Sequence, residues 1–500
     1  MSSLFACFAV LCVFALRIPN AKTQRTAKHA KRELNMKRGC LLRTIGVLLL
    51  PAVSATVALP QAITERQQIG LVLSAKPPRT IELSEPAPVD SQYVDPINGM
   101  TADDLVRYSL THNGELAAAR QMIAEARGRL RQAGLRSNPM FEASGTQATN
   151  TSDNSVMIGA ELPLELGGRR SARIAVASAE LRVREAEVAD FERKLAADVR
   201  MKYGDAIAAA RNVKFTEELL TLTRDSHRLV HARVERGKSA PLEQNLLLVE
   251  LNRVDAMRIG FESRVEVAML ELKKVIGMPS GEELRLHGEF DIPRQPATQS
   301  DALRNALATR PDLLASRATE ALAATQIEQA RIEGKPDASL FASYERMSTG
   351  FDVFGFNNAG ARVPVMGVFH NLSFGVKLNL PVRNKNEGNI EAAAATAEAA
   401  RSRREFAELV VRNEVASAYL RLERARQALA VYRDGVRGQA ERNLDVVRQT
   451  YTLGQKTALD YVGEQRRFAE IETAYTEILK EYFNSLVELE RAAGTPVPSA

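Results

Sequence analysis

Hydrophobic and polar positions follow two rhythms along this chain. From Asn371 to Leu380 they alternate residue by residue. Leu372, Phe374, Val376, Leu378 and Leu380 share one face, and Ser373, Gly375, Lys377 and Asn379 the other. That is the period of a strand with one apolar side. Ser155–Leu162 repeats it, with Val156, Ile158, Ala160 and Leu162 set against Ser155, Met157, Gly159 and Glu161. A segment of weaker alternation precedes each, Met140–Thr149 and Ser339–Ser348, so four strands are predicted. Elsewhere the rhythm is helical: Ala102–Arg136, Gly168–Glu235 and Pro241–Ile276, then Asp301–Gly334, Gly388–Thr450 and Ala458–Ala493. Gly388–Thr450 contains no proline and at about 1.5 Å per residue would reach roughly 90 Å. Ordinary globular helices run three or four turns. The stretch reads as one arm of a long antiparallel hairpin, and its use must lie in its length.

The pattern occurs twice. Leu162-Pro163 matches Leu380-Pro381 and Ala179-Glu180 matches Ala397-Glu398, both at a spacing of 218. Gly237 matches Gly454, and Gly277-Met278-Pro279 matches Gly494-Thr495-Pro496, at 217. Upstream, Leu110–Leu116 matches Leu307–Leu313 at 197. A period this long excludes a solenoid and predicts a pseudo-twofold protomer: a first repeat at 101–279 (strands about 140–149 and 155–164), a linker at 280–300 and a second repeat at 301–496 (strands about 339–348 and 371–381). The second copy has a longer connection around 350–369. In each half the two shorter helical pieces are expected to stack end to end beside the long one. Gly277 and Gly494 would then interrupt the layout at mid-height, with a loop belt containing Pro293 and Pro296.

Charge changes the picture only after the ends are separated. The net charge of +6 comes from residues 1–58, which hold nine Lys/Arg and one Glu; the remainder has 58 basic and 60 acidic residues. No basic surface for nucleic acid is indicated. Cys7, Cys12 and Cys40 all lie in this leader, which leaves the rest without disulfides or thiolate metal sites. Met36-Lys37-Arg38 opens a secretory-signal pattern, with an apolar run Ile45–Val53 and small residues at Ser54-Ala55 and Val57-Ala58. Translation starting at Met36 would explain the competing apolar run Leu4–Ile18; the alternative is an N-terminal membrane helix. Cys40 precedes the apolar run, so no lipid is expected on it. Residues 59–100, with Lys76-Pro77-Pro78 and Glu85-Pro86, read as a proline-rich tail.

Ten alternating residues suit a tilted membrane strand, although a pair of hairpins in a soluble sheet fits the bare pattern too. Export and the absence of cysteine favour the membrane. Four strands cannot close a barrel, and open edges are not tolerated in lipid. Several copies must then pool their strands, and three would give twelve. Helical pattern alone does not separate a hollow tube from a solid rod; the strands and the signal favour the tube.

With its Leu-Pro exits at 162–163 and 380–381, the Asn138-Pro139 and Lys335-Pro336 entries, and the tips Arg236–Pro241 and Thr452–Thr457, the chain resembles the TolC-like outer-membrane efflux channel family over about residues 100–496. Leu166-Gly167-Gly168-Arg169-Arg170 and the run Leu116–Gly134 are similar to its cobalt–zinc–cadmium branch. The resemblance implies a mainly α protomer with a β-barrel portion, trimerising into a twelve-stranded barrel in outer-membrane lipid and an α-helical tunnel in the periplasm. It implies a homotrimer whose tip meets a periplasmic adaptor (a membrane fusion protein) and an inner-membrane pump of the RND type. Tyr451, Lys456 and Asp460 match positions that close the periplasmic mouth and ring it with acid, and Glu243 is the first-repeat equivalent of Asp460. Gly237, Lys238, Gly454 and Gln455 fall at the adaptor-contact tips. Gly463 stands where a second acidic residue is common, with Glu464 beside it. Thr457-x-x-Asp460 is also a helix capping pattern, so capping and gating both remain open for Asp460.

No catalytic set, cofactor motif or metal site is expected. His112, His227, His231, His287 and His370 are scattered, and His227 and His231, four apart, lack a carboxylate at ligand spacing. The expected function is a passive trimeric exit duct for metal cations or small toxic molecules. The alternative is a periplasmic helical scaffold or adaptor without a pore.

Overall fold

The computed structural model describes residues 90–288, 290 and 298–494. The leader, the tail up to residue 89, and Pro293 and Pro296 lie outside the described residues. After a helical turn at Asp90–Tyr93 the chain forms α1 (Ala102–His112), α2 (Gly114–Ala133), β1 (Met140–Gln147), β2 (Asn154–Pro163), α3 (Arg169–Glu235) and α4 (Pro241–Ile276). The second half repeats the order: α5 (Gln299–Thr309), α6 (Pro311–Glu333), β3 (Asp337–Phe356), β4 (Arg362–Asn379), α7 (Glu387–Val431), α8 (Gly438–Thr452) and α9 (Ala458–Ala493).

The 67 residues of α3 span about 100 Å. This helix packs along α4, α2, α6 and α9, while α7 packs on α6 and α9. Small side chains set the approach. A Cβ on Gly204 of α3 would lie 2.7 Å from the Phe483 ring of α9, so that crossing is closed to any larger residue. Around it Val199, Tyr203, Ala206, Ile207, Phe483 and Val487 form part of the largest apolar cluster.

Two of the predicted helices are broken. Ala102–Arg136 is interrupted at Asn113, which leaves the helical conformation (φ −69°, ψ 119°) and caps α2 by accepting the Leu116 N–H at 2.9 Å. Asp301–Gly334 is interrupted at Arg310, because Pro311 opens α6 at its first position and disfavours helix in the residue before it. Both breaks meet the end of the hairpin helix of their own half. Gly277 (φ +80°) lies against His112 and Asn113, and Gly494 (φ +69°) against Arg310, so closely that a Cβ on either would press on backbone. Asn113 Nδ2 donates to Val275 O at 2.8 Å, and Arg310 Nη1 to Ala492 O at 3.2 Å. Beside the first junction, Leu286 is buried and bridges Val94 and Met100.

The long run Gly388–Thr450 also departs from expectation. Between α7 and α8 it widens into a π-helical segment, Tyr432–Arg437. Gly435 and Gly438 weaken the helix there, and Arg437 turns inward to pair with the buried Glu472 and cover Tyr475.

The strands form one antiparallel sheet in the order β1-β2-β3-β4, with β2 paired to β3 across the two halves. Phe141, Ala160, Ala342 and Phe374 stand in register and define an apolar face. On that face Phe141, Ile158, Leu372, Phe374 and Leu378 are exposed. The opposite face carries Glu142, Ser155, Glu161, Ser343, Glu345 and Lys377, and Lys377 Nζ lies 3.4 Å from Glu161 Oε2. The connection expected at 350–369 is instead strand: β3 and β4 run on for 20 and 18 residues, with a turn only at 357–361. Alternation fails to reveal this because both faces are apolar there. Among the described residues the outer edges of β1 and β4 have no strand partner in the protomer.

Candidate functional site at the hairpin tips

α3 and α8 end in the same way. At Gly237 (φ +66°) the Lys238 N–H reaches back to Arg233 O at 2.8 Å, and the Gly237 N–H to Val234 O at 2.9 Å. At Gly454 (φ +77°) the Gln455 N–H reaches Thr450 O at 2.9 Å, and the Gly454 N–H reaches Tyr451 O at 3.0 Å. Both are left-handed glycine caps that satisfy the last carbonyls. A Cβ on either glycine would meet nothing within 4 Å, so the glycines are required by backbone conformation rather than by crowding. Arg233 Nη2 donates to Thr452 O at 3.0 Å and joins the two ends. Val230, Leu247, Leu444, Tyr451, Ala458 and Tyr461 form one apolar cluster beneath them. Gly237, Lys238, Gly454 and Gln455 thus belong to two neighbouring turns.

Asp460 is exposed and sits at the third position of α9, where its Oδ2 accepts from the Thr457 N–H at 3.1 Å and from the Thr457 hydroxyl at 2.8 Å. Thr457 Oγ1 accepts from the Asp460 N–H at 3.2 Å, completing a capping box. The Thr457 N–H, then its hydroxyl, then the charge of Lys456 hold the carboxyl below its ordinary 3.8. Capping is therefore a real function of Asp460, and it engages one of the two carboxylate oxygens. Glu243 occupies the same third position in α4, but Ala240 stands at the cap and gives no side-chain hydrogen bond.

Tyr451 is buried and stacks on Tyr461, with ring centroids 5.4 Å apart and planes within 5°. Burial, then the nearby charge of Glu243, pushes its hydroxyl above 10.0, with Arg233 opposing. That hydroxyl is buried without a hydrogen-bond partner, which costs on the order of 1–3 kcal/mol. Tyr461 is fully buried; its hydroxyl meets Gln465 Nε2 at 3.0 Å and Ser226 Oγ at 3.1 Å. Tyr461 is not among the residues expected at the tip, and its one signal in the sequence is that it and Tyr451 each lie five residues from Lys456. Glu250, likewise not expected at the tip, is buried and held by Arg253 (2.6 Å) and by Arg466 of α9 (2.8 Å). Glu464, beside Gly463, turns to Arg467 at 3.2 Å.

The histidines do not converge. His112 stacks on Tyr108, and His370 meets the Tyr344 hydroxyl at 2.6 Å. His227 and His231 stack with centroids 6.3 Å apart. A carboxylate does lie near this pair, contrary to expectation: Glu235 Oε1 is 3.5 Å from His231 Nε2, one further turn along the same face. Among the described residues no three His, Cys, Asp or Glu side chains form a group that could hold a metal ion.

A family model described as "Outer membrane efflux protein" matches residues 105–278 and 302–495, one block per repeat. The chain belongs to that family. It is similar to the cobalt-zinc-cadmium resistance protein CzcC of Cupriavidus metallidurans, 21% identical over 396 residues, 79% of this chain and 90% of that one. It is also similar to the pyoverdine export outer membrane protein OpmQ of Pseudomonas aeruginosa, 24% identical over 423 residues, 78% and 84% of the two chains. The solved structure of CusC superposes with a TM-score of 0.65 at 18% identity, covering 83% of this chain and 96% of that chain. The efflux protein is accordingly the outer-membrane channel of a tripartite efflux system, with its sheet in the outer membrane and its helices in the periplasm. Among its described residues no helix is long and apolar enough to cross a membrane; the sheet is the part suited to lipid.

Proposed function

We propose that three copies of this chain pool their sheets into a twelve-stranded barrel over an α-helical tunnel. The duct passively releases divalent metal cations handed over by a periplasmic adaptor and an inner-membrane pump of the RND type. The single observation that supports this most is the open sheet: one face apolar and exposed, the other polar, and both outer edges without a partner among the described residues. In lipid such edges must be paired. Ala392, Ala394, Ala395 and Ala399 of α7 are exposed in the protomer, a small-residue surface suited to close packing against a second copy. In this reading Tyr451, Lys456, Asp460 and Glu243 form the periplasmic gate, and the turns at Gly237-Lys238 and Gly454-Gln455 receive the adaptor. The metal assignment leans on the likeness to a cobalt-zinc-cadmium resistance protein along nine-tenths of that relative. The likeness to a pyoverdine exporter favours small organic molecules as the second reading.

Two experiments decide. The purified protein should run as a heat-modifiable trimer and conduct ions in a planar bilayer; a monomer that passes no current refutes the duct. A deletion strain should lose tolerance to divalent cobalt, zinc or cadmium before it loses tolerance to drugs. The reverse order assigns the cargo to organic molecules.

A further inference from the structure

The β3–β4 hairpin outgrows the rest of the sheet. β2 begins opposite Ser348, so residues 349–356 and 362–367 pair as strands only with each other; beyond the turn of the first hairpin, whose Asp153 accepts from the Gly350 N–H at 2.6 Å, they project roughly 20 Å at about 3.3 Å per residue. Apart from Asp352 at the bulge and Arg362, which covers the Phe354 ring on the outer side, this projection is apolar on both sides. Register puts Phe354, Phe356, Met366 and Val368 on the side continuous with the lipid-suited face, and Met347, Phe351, Val365 and Phe369 on the side continuous with the polar face. Phe356 is 77% exposed and Phe351 44%. On the inner side the Phe351 and Phe369 rings meet edge to face at 6.2 Å over Gly367, where a Cβ would lie 2.8 Å from one ring and 2.9 Å from the other.

Hydrocarbon is not the natural cover. Arg346 and His370 stand opposite each other on the outer face between the apolar band at Leu372–Leu378 and the projecting segment, and the Tyr344 hydroxyl joins His370 there. A cationic and aromatic girdle of this kind marks the end of a bilayer-spanning band. An isolated two-stranded hairpin is marginal in water, and a patch this apolar calls for a partner.

We infer that the partner is the same hairpin of the other two copies: the three projections lean together above the barrel and pack their Phe351, Val365 and Phe369 faces into an apolar collar at the outer mouth. This rests on the trimeric duct proposed above, since the hairpin continues the β4 edge at which copies would join. An apolar constriction of this kind opposes water and ions by dewetting, which would make the outer mouth a second barrier besides the periplasmic tip.

The test uses the full-length trimer. With Cys7, Cys12 and Cys40 changed to serine, Ala359→Cys places one thiol at each exposed hairpin turn. Oxidation should join two of the three chains into a disulfide-linked dimer, and the Phe351→Ser, Phe369→Ser double variant should raise single-channel conductance severalfold. An intact, conducting trimer that neither cross-links nor changes its conductance overturns the collar while leaving the duct standing, and it points to a lipid surface as the cover. Loss of the trimer or of all current in the unsubstituted protein refutes the duct itself.

Discussion

Asp460 can be tested for its two roles separately, because the capping box and the charge respond to different substitutions. Thr457→Ala removes the hydroxyl that accepts the Asp460 N–H and keeps the carboxylate. Loss of such a cap costs about 1 kcal/mol, which in a chain this size shifts a thermal midpoint by no more than about 2–4 °C. Asp460→Asn keeps an oxygen able to accept the Thr457 N–H and removes the charge. In the proposed trimer three carboxylates would surround the axis. For an ion about 8 Å from each in water, attraction is about 0.5 kcal/mol per charge and about 1.5 kcal/mol together. That is close to tenfold in local cation concentration, with salt screening it further. In planar bilayers at low salt, Asp460→Asn should therefore lower the cation-to-anion permeability ratio by about tenfold, whereas Thr457→Ala should leave the ratio alone and lower only the midpoint. Equal selectivity in Asp460→Asn and the unsubstituted channel would refute the ring and leave Asp460 as a cap.

Tyr451→Phe removes a buried hydroxyl that has no partner, so thermal stability should be unchanged or higher by up to about 1–3 kcal/mol; a clear loss would mean that the hydroxyl is satisfied by an internal partner such as a bound water. Phe374→Arg on the apolar face should cost about 2–4 kcal/mol near the bilayer midplane and deplete the heat-modifiable trimer, while Ser373→Arg, one residue away on the polar face, should be tolerated; equal yields would contradict the lipid-facing assignment. His227 is held below its ordinary 6.5 by burial and then by His231, so the unfolded chain takes up a proton before the folded site does. The stability this histidine contributes is complete above 6.5 and drains as pH falls through the lower folded value. His227→Gln should flatten the midpoint-versus-pH curve in that window, and an unchanged slope would refute the assignment.

What the sequence revealed depended on whether one residue type had one cause. The hairpin helices Pro241–Ile276 and Ala458–Ala493 were legible to the residue because a proline or threonine start and a left-handed glycine end are local signals. The breaks at Asn113 and Arg310 were masked, since the apolar rhythm runs through both, although the Asn113 cap and Pro311 are local stop signals that packing against Gly277 and Gly494 reinforces. The π-helical segment escaped for a similar reason: the Arg437–Glu472 pair that accompanies it spans 35 residues. The sheet was legible where it separates two solvents and illegible where it does not, which is why 350–369 looked like a connection. At the tip, the capping pattern announced Thr457 and Asp460, but Tyr461 and Glu250 are defined by partners on other helices.

The division of labour between helices and strands has one energetic cause. The helices are laced with ion pairs such as Arg200 with Asp103 (2.7 Å) and Glu490 (2.9 Å) and Arg404 with Glu320 (2.7 Å), a surface that water solvates and hydrocarbon would reject. The sheet has the opposite problem. Its outer face suits hydrocarbon, but β1, eight residues long, leaves on the order of four N–H groups and as many carbonyls pointing off the edge, and the longer β4 leaves more. Stranded in lipid, such groups cost on the order of 2–7 kcal/mol each, so one bare edge already exceeds the 5–15 kcal/mol that holds an ordinary protein together. Adding strands within the chain would meet this cost, yet the chain supplies four and no more among its described residues. Pairing the β4 edge of one copy with the β1 edge of the next removes the penalty at every seam, and only a closed ring leaves no edge behind. Assembly and insertion are then one event, and a protomer that cannot find its neighbours has no stable place in the membrane.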